Sequence, residues 1–199
     1  MSRRTGSLAT LLLTAATATL ALLSVPAHAD WGPDGNTIKA TTNTIPRVAA
    51  CSDGASGTFV AWVESAIPGG GALYAQHVLS DGSLDPAWPA AGALACAVAA
   101  IPTELGALPD QLGGLYVWRL EGAALVVQRL DPAGLVPAGW PAGGRTLGST
   151  DGDSPSPSVI EDGAHGFYAA WTDGGTGHPL AIHVGLGNTG AGEIGRAHV

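Results

Sequence analysis

A short pattern occurs three times in this chain: a glycine, a run of apolar or β-prone residues, and a tryptophan five positions after the glycine. The copies are Gly57–Trp62, Gly113–Trp118 and Gly166–Trp171. Their tryptophans are 56 and then 53 residues apart. A repeat period near fifty residues is typical of propellers, solenoids and other arrays. The chain is therefore expected to fold as successive copies of one structural unit.

Each copy continues with a strand-like run, a turn and a second tryptophan motif. The closing motif is Trp88–Gly92 in the first copy and Trp140–Gly144 in the second, and Trp31–Gly35 has the same spacing near the N-terminus. Four short antiparallel strands fit into a unit of this length, which is the number in one blade of a β-propeller. The predicted repeat positions are Trp31, Trp62, Trp88, Trp118, Trp140 and Trp171.

The strand before each repeated tryptophan is apolar on both faces. Around Trp62, Val60 shares its face, while Phe59 and Ala61 occupy the other. A sheet with one solvated face would alternate apolar and polar residues instead. The strand must therefore be covered on both sides, as it is when each sheet lies between two others.

These motifs together resemble a family of secreted bacterial β-propeller repeats. The family unit has Asp-Gly, a glycine, an apolar run to tryptophan, a Tyr-Ala-Gln-Arg-Leu-like strand, a glycine turn and a final Trp-x-x-x-Gly. The resemblance covers roughly residues 31–190; the second copy carries Asp110-Gln111 in place of Asp-Gly, and His183 is aligned with Gln76 and Gln128. It implies an all-β, propeller-like array of four-stranded antiparallel blades, and it says almost nothing about a ligand.

The repeat and its flanks predict the organisation of the chain. Arg3 and Arg4, an apolar core and Ala27-His28-Ala29 have the form of a secretory signal peptide over residues 1–29. The alternative, a membrane anchor, needs a longer and more apolar core. The remaining units are the closing strand of a preceding blade at 30–44, blade 1 at 45–98, blade 2 at 99–150, a partial blade 3 at 151–192, and a tail at 193–199.

The tail does not continue the repeat. After Gly190 another Trp-x-x-x-Gly strand is expected, yet the chain reads Glu193-Ile-Gly-Arg-Ala-His-Val199. A common short-read sequencing adapter encodes these residues when read in this frame. We predict that residues 193–199 are not native and that further blades follow in the complete protein. A genuine flexible tail is the alternative. Closed propellers have four to eight blades, so about three blades would form an incomplete ring with two open apolar faces.

Composition excludes some partners. The chain has 8 basic and 16 acidic residues, and removal of Arg3 and Arg4 with the signal peptide leaves 6 and 16, a net charge of −10. Nucleic acid and anionic membrane surfaces would be repelled by that charge. We expect a secreted or periplasmic protein with no membrane span after signal cleavage.

The sequence permits a disulfide between the two cysteines but does not require one. A bridge between Cys51 and Cys96 is chemically permitted in an exported chain. The repeat, however, places Cys51 near the end of a first strand and Cys96 beyond a fourth, and a bridge requires Cα atoms within about 7 Å.

Three further motifs are read as structural. Gly185–Gly190 matches G-x-G-x-x-G but aligns with the turns of the other copies and lacks the helix that a dinucleotide site needs. Asp151–Ser156 begins like a calcium loop, but the residues at its later ligand positions do not fit. A third group consists of three nearby histidines without zinc-site spacing: His165, His178 and His183.

The sequence predicts a binding or scaffold module of unknown ligand, either a glycan or a protein. No catalytic, metal or cofactor residue is assigned and no cofactor is expected, because neither a nucleophile elbow nor a carboxylate pair across a cleft is recognisable. Two alternatives stay open: the N-terminal part of an extracellular propeller enzyme acting on glycans, and part of a cell-surface adhesin.

Overall fold

The computed structural model describes residues 31–67, 70–152, 156–186 and 195–197. The predicted signal peptide therefore lies outside the described residues. All regular structure in the described part is β, which confirms the predicted all-β class. No helix among those residues has the length and apolar character needed to cross a membrane.

Twelve strands form three antiparallel sheets of four, and within each sheet every strand pairs with the next one along the chain. The first sheet contains β1 (Thr44–Ser52), β2 (Thr58–Ile67), β3 (Gly70–Val78) and β4 (Ala93–Val98). The second contains β5 (Glu104–Pro109), β6 (Leu115–Glu121), β7 (Ala124–Leu130) and β8 (Arg145–Ser149). The third contains β9 (Ser158–Glu161), β10 (Phe167–Thr172), β11 (Pro179–Val184) and β12 (Gly195–Ala197).

The sheets lie face against face in chain order. β1 lies against β5, and β5 lies against β9, so the first strands of the three sheets are neighbours. Phe59, Ala61 and Val63 of the first sheet share one core with Leu115 and Val117 of the second. The opposite face of the second sheet shares another core with the third sheet, formed by Tyr116, Leu125, Val127, Phe167, Ala169 and Trp171. The middle sheet is therefore covered on both faces, as predicted from the apolar residues on both faces of its second strand.

Residues 31–43 contain no strand, in contrast to the closing strand expected from Trp31. This segment lies along the first sheet, where the Asn36 amide donates to the carbonyl of Gly82 at 3.0 Å. The Thr41 hydroxyl donates to Glu64 at 2.6 Å. Gly195–Ala197, within the predicted non-native tail, pairs with β11, and the rest of that tail lies outside the described residues.

We expect core truncation between the first two sheets to be costly. Leu115 is fully buried there, so Leu115→Ala should lower the free energy of unfolding by about 2–5 kcal/mol. Leu94→Ala removes the same atoms from a side chain that is 56% exposed and should change stability by less than about 0.5 kcal/mol. Urea unfolding followed by tryptophan fluorescence measures both, and equal effects would contradict the packing of the second sheet on the first.

Candidate functional site

One loop conformation occurs in all three sheets, between the first strand and the second. It begins at an aspartate and ends at a glycine four residues later: Asp53–Gly57, Asp110–Gly114 and Asp162–Gly166. In each copy the aspartate Oδ1 accepts the N–H of that glycine at 2.8 Å. It also accepts the N–H two residues after the aspartate, at 2.6–2.8 Å. One carboxylate oxygen therefore fixes the whole loop.

The last residue of the loop must be glycine because other atoms approach its Cα too closely for a side chain to fit. A Cβ at Gly114 would lie 2.8 Å from Asp110 Oδ2 and would collide with the carbonyl oxygen of Leu130. The corresponding atoms surround Gly57 and Gly166. Only glycine leaves room for the carboxylate and the third strand to meet at this point.

The second carboxylate oxygen binds a basic residue on the third strand of the same sheet. Asp53 Oδ2 lies 3.0 Å from His77 Nε2, and Asp162 Oδ2 lies 2.6 Å from His183 Nε2. In the second sheet the Arg129 guanidinium donates to Asp110 at 2.7 Å. The three sheets thus share one interaction even though the basic residue differs.

Each basic residue also lies against an aromatic ring on the second strand. The groups are Asp53/His77/Phe59, Asp110/Arg129/Tyr116 and Asp162/His183/Tyr168, here called the triads. The imidazoles stack on Phe59 and Tyr168 with ring centroids 4.5 and 4.6 Å apart. The Arg129 guanidinium lies 5.7 Å from the Tyr116 ring centroid, within cation–π range.

The triads of the first and third sheets shift the ionisation of their carboxylates. Burial alone would raise the pKa of Asp53 and Asp162, but the hydrogen bonds from histidine and from backbone N–H groups outweigh it and hold each pKa below its usual range. A second carboxylate, Asp85, lies 2.8 Å from His77 Nδ1. Because both ring nitrogens of His77 face carboxylates, only the imidazolium form can donate to both.

A pocket opens where the first strands of the three sheets end together. Its volume is about 800 Å³. It is lined by the ends of β1, β5 and β9 and by the triad loops, including Ser52, Asp53, Leu108, Gln111, Val159 and Glu161. Three separate repeats therefore contribute to one concave site.

The pocket lining is acidic and hydrogen-bonding, with apolar walls. The Gln111 amide donates to Glu161 at 2.8 Å and so links the second sheet to the third. Burial, reinforced by Glu161 and Asp53, raises the pKa of Cys51 to about 12, so its thiol is uncharged. The pocket can offer carboxylate and amide groups to a ligand, and its charge disfavours anions.

The repeated tryptophans do not all occupy equivalent positions. Trp62 and Trp171 each lie five residues after the glycine that closes the triad loop. In the second sheet that glycine is Gly114, so the residue five positions later is Arg119. Trp118 is therefore one position earlier and lies on the opposite face of the sheet. Arg119 is 3% exposed and binds Glu121 at 3.0 Å. The alignment of His183 with Gln76 and Gln128 is likewise wrong by one residue, because Ile182 takes that position in the sheet register.

Trp88 and Trp140 do occupy equivalent turns before the fourth strand. The buried Gln76 amide donates to the carbonyl of Pro89 at 3.1 Å, and Gln128 donates to that of Pro141 at 3.2 Å. Trp88 donates across the sheet boundary to the carbonyl of Pro132 at 3.0 Å. Trp31 is 46% exposed and lies beside Gly82, so it has no equivalent role.

The two cysteines are free thiols. Cys51 lies on β1 and Cys96 on β4, which are opposite edges of the first sheet with two strands between them. Three strand spacings of about 4.8 Å separate these edges, well beyond the reach of a disulfide.

The other sequence motifs do not converge on a site. His183 belongs to a triad, whereas His165 lies in the triad loop of the third sheet and His178 in the turn before β11. Among the described residues no group of three or more histidine, cysteine or acidic side chains could hold a metal ion. Asp153–Pro155 of the calcium-like loop and Gly187–Gly190 of the glycine motif lie outside the described residues.

The sequence drew attention to Cys51, Gln111 and His183 for other reasons, but it did not indicate that they belong to the pocket or to a triad. The signal for the triads is present as an Asp-x-x-x-Gly spacing that occurs at all three loops. Comparison of the chain with protein-family models, curated proteins and solved structures finds no match. The geometry of the chain itself therefore carries the functional argument.

We expect the triads to contribute different amounts to the free energy of unfolding, depending on how far each is buried. Asp110 is fully buried, so Arg129→Met leaves an unpaired buried charge and should lower the free energy of unfolding by roughly 3–5 kcal/mol. Asp162 is also buried, at 2% exposed, but its partner His183 is 46% exposed against 12% for Arg129, so water can replace part of the contact and His183→Met should cost less than Arg129→Met. Denaturant unfolding of the two variants provides the comparison, and a larger loss for the third sheet would contradict it.

The lowered carboxylate pKa values predict acid sensitivity. Folding lowers the pKa of Asp53, Asp85 and Asp162, so ionisation of these carboxylates stabilises the folded state. The stabilisation is complete above the pKa of the unfolded state, about 4, and it is lost as the pH falls through the lower pKa of the folded state. The free energy of unfolding should therefore fall below about pH 4. Asp53→Asn should reduce the steepness of that fall in urea titrations between pH 7 and 3. Parallel curves for the variant and the original chain would contradict this role.

Proposed function

We propose that this chain is part of a secreted β-propeller-type protein and acts as a binding or scaffold module. Three features support the propeller arrangement: four-stranded antiparallel sheets in chain order, first strands that lie next to each other in successive sheets, and one triad per sheet. In a propeller the first strands line the central axis, and the loops at their ends form the usual place for a ligand.

The observation that carries the proposal is the pocket at the ends of β1, β5 and β9. A volume of about 800 Å³ falls within the range of small-molecule and saccharide sites. Its lining comes from all three repeats, whereas a merely structural loop would need contacts within its own sheet only. We therefore assign ligand binding to this pocket.

The chemistry of the pocket favours binding over catalysis. Asp53 is hydrogen-bonded to His77, and Glu161 accepts the Gln111 amide, so both lining carboxylates already have partners. Carboxylates held in this way orient hydroxyl or amino groups of a ligand. Neutral or basic groups fit the acidic lining, and a glycan or a protein segment supplies them.

The charge and the N-terminal segment are consistent with a role outside the cytoplasm. Residues 1–29 carry the pattern of a signal peptide, and the chain without them has a net charge of −10. Nucleic acid is disfavoured as a partner by that charge.

A glycan array probed with the complete protein is the direct test of a saccharide ligand. We expect binding that Gln111→Ala weakens at least tenfold, because this side chain joins two of the three repeats at the pocket. Leu135→Ala is the matched control, since Leu135 is 59% exposed and does not line the pocket.

Titration calorimetry with the best array ligand separates the outcomes. Equal affinities for the original chain and for Gln111→Ala would exclude the pocket as the site. Turnover of the glycan during the titration would favour the enzyme alternative over a binding module.

A further inference from the structure

The pocket at the ends of β1, β5 and β9 contains one side chain that the repeat does not explain. Gln111 is the second residue of its triad loop and has a left-handed backbone, with a φ of 58°. The equivalent residues of the other two loops are Gly54 and Gly163, whose φ angles of 80° and 73° suit glycine. Such a backbone is unfavourable for a residue with a side chain. Only the second loop therefore places a side chain in the pocket from this position.

Gln111 and Glu161 form a pair that joins two consecutive sheets. The Gln111 amide donates to Glu161 Oε2 at 2.8 Å. Glu161 is in register with Phe167, which is fully buried against the second sheet, so the carboxylate lies on the face toward that sheet. The pair consequently stays in the pocket whatever covers the opposite face of the third sheet.

The pair has two oxygen atoms that can still accept hydrogen bonds. Among the described residues, Glu161 Oε1 and Gln111 Oε1 have no hydrogen-bond partner. Asp53, the other carboxylate of the pocket, is already occupied, because its Oδ1 accepts two backbone N–H groups and its Oδ2 lies 3.0 Å from His77. A ligand must therefore bring hydrogen-bond donors to Gln111 and Glu161.

The charge around the pair is negative. The triads hold three carboxylates against at most three cations, and Asp85 and Glu161 add two further carboxylates. None of the described residues that line the pocket is basic. Besides burial, the charges of Glu161 and Asp53 raise the pKa of Cys51 on β1, so their field reaches the opposite wall. A donor that is also positively charged, such as a primary ammonium group, suits this environment best.

We propose that the pocket binds a glycan through an unacetylated amino sugar, whose ammonium group lies at Gln111 and Glu161. An ammonium group has three N–H donors, enough for both free acceptors. Leu108 and Val159 supply apolar walls for the ring carbons. A lysine side chain carries the same charged group, but its narrow stem would fill little of a pocket of about 800 Å³. The inference rests on the ligand pocket of the proposed function and names the class of ligand that it selects.

Paired saccharides test the requirement for the ammonium group. A glucosamine tetrasaccharide and its fully N-acetylated counterpart have the same sugar chain but differ in charge. At about pH 5.5, where the carboxylates are ionised and the amines protonated, we expect calorimetry to show at least about tenfold tighter binding of the first, as for a hydrogen bond to a charged group.

Two charge variants locate that preference. Glu161→Gln keeps an acceptor for Gln111 but removes the charge, and it should reduce the preference to less than about threefold. Asp34→Asn is the matched control, because Asp34 is exposed and does not line the pocket, and it should leave the preference unchanged.

Gln111→Gly separates a binding role from a structural one. This change restores the residue of the other two loops and relieves the left-handed conformation, so the thermal midpoint should stay the same or rise. The affinity for the glucosamine tetrasaccharide should nevertheless fall about fivefold, as for the loss of one hydrogen bond.

The outcomes distinguish this inference from the proposed function. Equal binding of the two saccharides, a preference that survives Glu161→Gln, or unchanged affinity in Gln111→Gly would overturn the inference and leave the pocket standing. Tighter binding of Nα-acetyl-lysine amide than of glucosamine would overturn it in favour of a protein segment. If no saccharide on the array or in the titration binds in a way that depends on Gln111, the proposed function fails as well.

Discussion

The carboxylate of one aspartate in each sheet connects two parts of the chain that are distant in sequence. Its Oδ1 organises the loop between the first two strands, and its Oδ2 holds a basic residue on the third strand, as Asp110 does for Gly114 and Arg129. Because a buried carboxylate without both sets of partners is costly, the loop conformation and the strand register are specified together. The basic residue can be histidine or arginine, since both can donate an N–H to the carboxylate at that position.

The repeat period and the strands with apolar residues on both faces predicted successive sheets packed against one another. The alignment of the repeats, however, misplaced the second unit by one residue. Gly113 and Gly114 are adjacent, and Gly113 has a tryptophan five residues later. The structure requires the glycine that faces the aspartate carboxylate, and this is Gly114. The requirement depends on a contact between the loop and β7, which tryptophan spacing does not reveal. Arg119 therefore replaces a tryptophan in the core, where it binds Glu121.

The pocket was not predictable for a different reason. Gln111 and Glu161 are fifty residues apart and meet only because β5 packs against β9. Repeats in sequence establish which residues are equivalent, but they do not establish how successive sheets are rotated against one another. Polar residues at the ends of first strands become a site only through that rotation. Tryptophans could be found by their spacing, whereas Gln111 stands where the other two loops have glycine, and Glu161 precedes its loop, so neither side chain recurs in the repeat.

Burial in this chain depends on the neighbouring sheet more than on residue type. Phe59, Tyr116 and Tyr168 occupy the same position, yet the first two are 0% exposed and the third 46%. When each sheet contacts only the sheets before and after it, stability is a sum of single-sheet terms and boundary terms. The first sheet has a partial cap in residues 31–43, fastened by Asn36 and Thr41. The face of the third sheet carries no such cap among the described residues, so its triad gains the full effect of burial only when another surface covers it.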